Sequence, residues 1–116
     1  MAIKLDILAF GAHPDDVELG CGATLAKYVD MKKNVGIIDL TRGELGTRGS
    51  AKIRDAESKK SANILGVKIR ENLGFSDCFF LNDKSHQLEV VKIIRKYRPD
   101  IILCNAINDR HPDHSK

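Results

Sequence analysis

The stretch that decides the fold is IKLDILAFG at residues 3–11, which runs directly into AHPDDVE at residues 12–18. The first part is rich in Ile and Leu, and its length is typical of a buried strand rather than of a helix. Pro14 cannot donate a hydrogen bond to a neighbouring strand, so the chain must turn there. The sequence therefore predicts a buried strand that ends in a turn carrying an imidazole and several carboxylates.

Segments typical of helices and strands alternate along the rest of the chain. Apolar residues recur at helical spacing in residues 17–33, 53–65 and 88–97. Short apolar segments predict further strands at residues 35–40, 67–73 and 100–104, and the charges in residues 67–73 indicate an edge strand or an irregular one. Such alternation predicts a parallel sheet with right-handed crossovers. We expect one α/β domain over residues 1–116, Rossmann-like, with three α/β/α layers and a mostly parallel sheet.

Composition excludes several classes of protein. The 116 residues are 42% hydrophobic and 30% charged, which allows one core and excludes a disordered or collagen-like chain. No stretch approaches the roughly 18 apolar residues of a membrane span. The net charge of +3 is small and spread along the chain, so neither a nucleic-acid partner nor a membrane partner is expected.

The start of the chain and its cysteines predict a cytoplasmic location. Lys4 and Asp6 stand where a signal peptide would carry its apolar run. Cys21, Cys78 and Cys104 show no CxxC spacing, and we expect reduced thiols in the core.

Three polar loops are predicted at the carboxyl ends of the strands, where parallel sheets bind ligands. They cover residues 13–18, 41–50 and 105–114, and the first and last contain three of the four histidines. Two His and one carboxylate with an open position form a catalytic zinc site. Either His-Pro-Asp motif alone can be an ordinary turn, because Pro fixes φ and Asp caps the next helix. We expect His86, outside these loops, to be an exposed or helix-capping residue.

Other binding motifs are weaker. Residues 41–50 contain glycines and two Arg that suit an anion, but they lack the Gly-Lys-Ser/Thr ending of a P-loop. Residues 20–25, GCGATL, lack the third glycine of a dinucleotide fingerprint, and we expect small-residue packing between helix and strand there. Neither a Gly-x-Ser-x-Gly motif nor a cysteine next to a histidine indicates a covalent nucleophile.

Three motifs in order carry a family resemblance: Ala12-His13-Pro14-Asp15-Asp16, Thr41-Arg42-Gly43-Glu44, and Arg110-His111-Pro112-Asp113-His114. They resemble the zinc-dependent N-acetylglucosaminyl deacetylases called LmbE-like or PIG-L, and above all the bacterial enzymes that act on N-acetylglucosaminyl-malate in bacillithiol synthesis. The resemblance implies hydrolysis of the acetamide of an N-acetylglucosamine conjugate, with release of acetate and a free amino sugar.

The resemblance also implies a metal centre. Its zinc ligands would be His13, Asp16 and His114. Zinc suits this nitrogen and oxygen donor set, although iron, as Fe²⁺, or cobalt fits the same geometry.

The same resemblance implies the catalytic roles. Asp15 would be the general base, His111 would steady the tetrahedral intermediate, and Asp113 would orient His111. Arg54, early in the second helix, would bind substrate, with the neighbouring Arg48 as the alternative.

Full-length members of this family are longer, so the chain is expected to be an N-terminal half, with an exposed sheet edge and impaired catalysis on its own. Oligomers are common in the family, and a homo-oligomer is expected at full length. The alternatives are a non-catalytic metal- or carbohydrate-binding fragment and a flavodoxin-like or nucleotide-binding domain, which the loops do not support.

Overall fold

The computed structural model describes residues 4–14, 16–41, 51–75 and 83–104, without the side chains of residues 51, 52 and 54. Strands and helices alternate along these residues, as the sequence predicts. Their order is β1 (Ile7–Gly11), α1 (Asp16–Asp30), β2 (Val35–Thr41), α2 (Ala51–Leu65), β3 (Ile69–Phe75), α3 (Lys84–Tyr97) and β4 (Ile101–Leu103).

The strands form one parallel sheet in the order β3-β2-β1-β4. Ile7 of β1 is paired with Val35 on one side and with Ile101 on the other. The chain therefore builds outward from β1 to β3 and then crosses back to place β4 beside β1. This reversal is a topological switch point, and it brings the carboxyl ends of β1 and β4 next to each other.

Two apolar clusters cover opposite faces of the sheet. On one face, α1 contributes Val17 and Leu25 to a cluster with alternate residues of β1 and β2. On the other face, Tyr97 at the end of α3 packs with Leu8 and Ile38. Successive strand residues point to opposite faces, so both clusters are drawn from the same strands. The α/β fold with three layers is confirmed, and β3 lies at an edge of the sheet that the described residues form.

Some boundaries differ from the predicted ones because local hydrogen bonds end the elements. Helix α1 ends at Asp30 rather than near residue 33, because Lys32 has a φ of 63° and donates to the Val29 carbonyl. Strand β3 begins at Ile69 rather than 67, because the turn that ends α2 includes Gly66, with a φ of 77°. Helix α3 begins at Lys84, four residues earlier than predicted, because the Asp83 side chain caps it.

The predicted core position of the cysteines was wrong. Cys104 is exposed rather than in the core, since it follows β4 at the edge of the described sheet, and Cys21 is only half-buried against the first cluster. Both thiols are free, and Cys78 lies outside the described residues. Residues 20–25 pack on the sheet through Cys21 and Leu25, as predicted, but the tightest approach of helix and strand is at Gly11, where a Cβ would lie 3.0 Å from Val17 Cγ2. A Cβ on Gly20 would meet nothing within 4 Å.

Across the described ranges, every helix is too short or too polar to cross a lipid bilayer.

Candidate metal centre

His13 and Asp16 face each other in the turn between β1 and α1. The Nδ1 atom of His13 lies 3.4 Å from Oδ2 of Asp16, and each side chain is 11% exposed. The His13 N–H donates to the same Asp16 oxygen at 2.9 Å, and the Asp16 N–H donates to the His13 carbonyl at 3.1 Å. An imidazole nitrogen and a carboxylate oxygen are typical zinc donors. The turn thus holds two of the predicted ligands together.

The end of β2 holds this turn in place. The side-chain hydroxyl and the backbone N–H of Thr41 both donate to the Ala12 carbonyl, at 2.8 and 2.9 Å. Thr41 is fully buried, and its own carbonyl accepts a hydrogen bond from the Asn72 side chain at 2.7 Å. Buried backbone groups must find hydrogen-bond partners, so these bonds favour one position for the chain just before His13.

A charged cluster lies on the same side of the sheet, formed by Glu18 of α1, Asp39 of β2 and Arg70 of β3. The Arg70 guanidinium donates to both oxygens of Asp39, at 2.8 and 2.9 Å, and to both oxygens of Glu18, at 2.9 and 3.2 Å. Ser61 of α2 also donates to Glu18, at 2.8 Å. Two-pronged pairs of this kind are among the strongest hydrogen bonds in proteins.

Burial affects the two carboxyls of this cluster differently. Burial raises the pKa of Asp39 by more than Arg70 lowers it, and the charges of Glu18 and Asp16 raise it further. Burial also acts upward on Glu18, which is less deeply buried, but hydrogen bonds from Arg70 and Ser61 prevail and lower its pKa. The pKa of Arg70 is raised by its two carboxylate partners despite burial, so Arg70 carries its charge throughout the working pH range.

A cavity of about 200 Å³ opens beside Asp16, between α1 and the ends of β1 and β4, with Phe10, Gly20 and Leu103 also in its lining. A larger cavity of about 450 Å³ lies between α1 and α2, where Ile64 and Leu65 line it. The smaller one is the better candidate for substrate, because it lies at the switch point and contains a predicted metal ligand.

Several predicted site residues fall outside the part of the chain that the structure describes. These are Asp15, His111, Asp113 and His114, while Arg54 falls within α2 with its side chain outside the described atoms. The loop at residues 41–50 is described only at Thr41. Within the described ranges, no group of three or more His, Cys, Asp or Glu is arranged to hold a metal ion. Of the three predicted metal ligands, the structure therefore brings His13 and Asp16 together.

Sequence reasoning missed Asp39 and Arg70, which lie beside the site. A signal was present: Asp39 is a charged residue within the apolar strand VGIIDLT, and a buried charge requires a partner. His86, predicted to be an exposed or helix-capping residue, is half-buried in the first turn of α3 and is the donor to the cap, which is Asp83. Its N–H donates to the Asp83 side chain at 3.0 Å, and its ring lies edge-on to Phe75 with centroids 4.4 Å apart.

Comparison with known proteins points to one family. The family model described as PIG-L, GlcNAc-PI de-N-acetylase, matches residues 8–116. The uncharacterized deacetylase YaiS of Escherichia coli K12 is 39% identical, over 93% of this chain and 61% of that protein. The diacetylchitobiose deacetylase of Thermococcus kodakarensis is 36% identical, over 93% of this chain and 44% of that protein.

Structural comparison agrees. The conserved protein TT1542 from Thermus thermophilus superposes with a TM-score of 0.91 at 41% identity, over 96% of this chain and 50% of that one. The chain thus spans only about half the length of the relatives that it matches.

Proposed function

We propose that this chain, which belongs to the PIG-L family of GlcNAc-PI de-N-acetylases, forms the metal-binding part of an N-deacetylase. The substrate would be an N-acetylglucosamine conjugate, and the products acetate and a free amino sugar. One observation carries the proposal: His13 and Asp16 lie 3.4 Å apart, nearly buried, at the switch point of a parallel sheet.

The donor set suits a divalent metal. His13 offers a nitrogen and Asp16 a carboxylate oxygen, and His114 is proposed as the third ligand. Two His and one carboxylate match catalytic zinc sites that keep one position open, and Fe²⁺ or Co²⁺ would fit the same donors. When bound, such a metal lowers the pKa of a coordinated water and polarises the amide carbonyl.

Asp15 is the proposed general base. Its carboxylate would accept a proton from the attacking water and then deliver that proton to the nitrogen of the breaking C–N bond. An amine leaves an amide poorly unless it is protonated, so one carboxylate can serve both steps.

Three further residues complete the proposal. A protonated His111 would donate to the oxyanion that develops on the amide oxygen, an effect commonly worth about 2.7–4 kcal/mol per donor. Asp113 would favour that protonated form of His111 by its negative charge. Arg54 would bind the substrate, because a guanidinium can donate to several sugar or carboxylate oxygens.

The aglycone is proposed to be malate, on the family resemblance. The relatives carry names with different substrates, including diacetylchitobiose and an L-malate conjugate. Acetate release from N-acetylglucosaminyl-malate, diacetylchitobiose and an N-acetylglucosaminyl-inositol would rank the three. The malate proposal fails if either of the other two is hydrolysed with the higher kcat/KM.

The decisive test compares wild type with Asp15→Asn. We expect the wild-type chain to release acetate, at the low rate expected of part of a longer enzyme, and to stop when a chelator removes the metal. The Asp15→Asn variant should keep its zinc, measured by elemental analysis, while its turnover falls by orders of magnitude. Loss of zinc together with activity would make Asp15 a ligand rather than the base. Zinc binding without acetate release by the wild type would favour a non-catalytic metal- or carbohydrate-binding fragment.

Three broader features are also proposed. Residues 1–116 would form a single, incomplete deacetylase domain. The free thiols of Cys21 and Cys104 suit a reducing cytoplasm. The family resemblance supports a homo-oligomer at full length.

A further inference from the structure

We infer that Arg70 is a positioning residue for the metal centre: it clamps Glu18 to Asp39 and thereby fixes where the first turn of α1 holds Asp16. The inference rests on the proposed function, because it takes Asp16 to be a metal ligand. The guanidinium of Arg70 donates to Glu18 and Asp39, and it acts on the His13–Asp16 pair through these two carboxylate partners.

The guanidinium geometry allows little freedom. Nε and Nη2 donate to Asp39, while Nη1 and Nη2 donate to Glu18, so the two carboxylates occupy two sides of one planar group. The side chain of Arg70 is 7% exposed and that of Asp39 is 1% exposed. Water therefore competes little for these donors, and a group buried this deeply is costly to leave unpaired.

The clamp fastens both ends of the turn that carries His13. On one side, Asp39 is paired in register with Gly11, the last residue of β1 and two residues before His13. On the other side, Glu18 lies two residues after Asp16, in the first turn of α1. Arg70 thus ties the start of α1 to the strand that flanks β1, and the His13–Asp16 pair lies between the two points of attachment.

Gly11 makes this placement sensitive to small movements. A Cβ on Gly11 would lie 3.2 Å from the Asp16 Cβ, so the first turn of α1 already rests closely on the end of β1. Packing at Gly11 limits how closely the first turn of α1 can approach β1, and the bonds of Arg70 fix the position of that turn. By contrast, the pairs Lys4–Asp100 and Lys92–Glu89 are exposed and lie away from the His13–Asp16 turn.

The test uses Arg70→Lys, which keeps the positive charge but cannot form the two-pronged bonds of a guanidinium. Amide hydrogen exchange is measured by NMR on metal-free protein at His13, whose N–H donates to Asp16, and at the fully buried Ile38. We expect His13 to exchange about tenfold faster or more, with Ile38 unchanged. Zinc affinity, measured by competition with a chromogenic chelator, should fall about 10–100-fold, as is usual when the support of a ligand is lost.

Lys92→Arg is the matched control, because it exchanges the same two residue types at an exposed pair and should change neither quantity. Glu18→Gln is the second variant, and it weakens the bonds that Glu18 accepts from Arg70 and Ser61 while the Asp39 fork remains. It should reproduce the local effect at His13 even if Arg70→Lys does not fold.

Two results would overturn the inference. Unchanged exchange at His13 in a folded variant would show that the clamp does not hold the turn. An equal increase at His13 and Ile38 would show that Arg70 stabilises the whole domain without positioning the site. If wild-type protein binds no zinc, the proposed function fails, while the exchange measurement on metal-free protein still decides the role of Arg70.

Discussion

Gly36 lies in the buried strand β2 at a point where the core leaves no room for a side chain. A Cβ on Gly36 would be 2.6 Å from Leu5 Cδ1 and 3.2 Å from Leu8 Cδ1. Both leucines are fully buried, so they have little space into which to retreat. Because Gly36 has no side chain, the apolar cluster that contains Leu5 and Leu8 can pack directly against β2.

We predict that Gly36→Ala destabilises the domain by about 1–3 kcal/mol, the usual cost of overpacking a core. Urea denaturation gives the free energy of unfolding. The matched control is Gly20→Ala on α1, where a new Cβ meets nothing within 4 Å. That change should leave stability unaltered or raise it by up to about 1 kcal/mol, since alanine restricts the unfolded chain. Similar losses in both variants would contradict the packing argument.

At the scale of the element, α3 is defined by its two ends. Asp83 accepts the His86 N–H and so caps the start of the helix, and Arg98 ends it in the left-handed conformation with a φ of 47°. Arg95 and Lys96 lie in the last turn, where positive charge interacts favourably with the helix dipole. The helix is thus bounded by local chemistry, independently of the sheet on which it packs.

The Asp83 cap predicts that the stability of the protein depends on pH. Hydrogen bonds from the His86 backbone and side chain hold the pKa of Asp83 below its ordinary value of 3.8. Because the pKa of Asp83 is lower in the folded state, the ionised carboxylate stabilises the protein at pH values above 3.8. This stabilisation is lost as the pH falls through the folded pKa. Asp83→Asn keeps an acceptor for the helix but cannot titrate.

We therefore expect the wild type to be more stable than Asp83→Asn near neutral pH, with the difference shrinking as the pH falls through the folded pKa of Asp83. Urea denaturation over a series of pH values measures it. A difference that stays constant across the series would show that the charge of Asp83 plays no part.

The left-handed backbone conformation of Arg98 predicts that a glycine at this position stabilises the domain. A side chain in the left-handed conformation costs about 1–2 kcal/mol, and glycine avoids that cost but loses more entropy on folding. Arg98→Gly should therefore stabilise the domain by about 0.5–1 kcal/mol in thermal or urea unfolding. Arg95→Gly, within the same helix, should instead destabilise it by about 1 kcal/mol. Equal effects would mean that backbone conformation does not decide the outcome.

At the scale of the whole molecule, the sheet is covered unevenly. Strands β1 and β2 are buried, whereas Ile101 and Ile102 of β4 are 46% and 45% exposed although they point to opposite faces. Within the described ranges, β4 pairs only with β1. A partly apolar edge strand of this kind is a template for pairing with another chain.

We predict that the 116-residue chain, studied by itself, self-associates as its concentration rises in sedimentation velocity. Ile101→Lys should shift the distribution toward monomer, because a charge on an edge strand opposes pairing. Met31→Lys makes the same kind of change at an exposed apolar residue beyond the end of α1 and should not. A monomeric wild type, or an equal response of both variants, would exclude β4 as the contact.

The alternation of strands and helices was predictable from the sequence because it depends on local properties. The apolar run in β1 and the helical spacing in α3 are both set by residues within one element. The charges of β3 indicated an edge or ragged strand, although Arg70 is buried against Glu18 and Asp39 and Glu71 is the more exposed of the two. Element ends were less accurate, since they depend on single hydrogen bonds such as the Asp83 cap and on the backbone conformation of Lys32 and Gly66.

By itself, the sequence determined the fold class and placed His13 in one turn with the carboxylates Asp15, Asp16 and Glu18, while the choice of Asp16 as its partner came from the family resemblance. Only the tertiary structure decided that β4 returns beside β1, and that Arg70 meets Glu18 across 52 residues of chain. The physical reason is the distance along the chain over which each interaction acts. Periodicity and turn chemistry act between neighbours in the chain, whereas the partner of a buried charge is set by strand order and register, which emerge only when the whole sheet assembles.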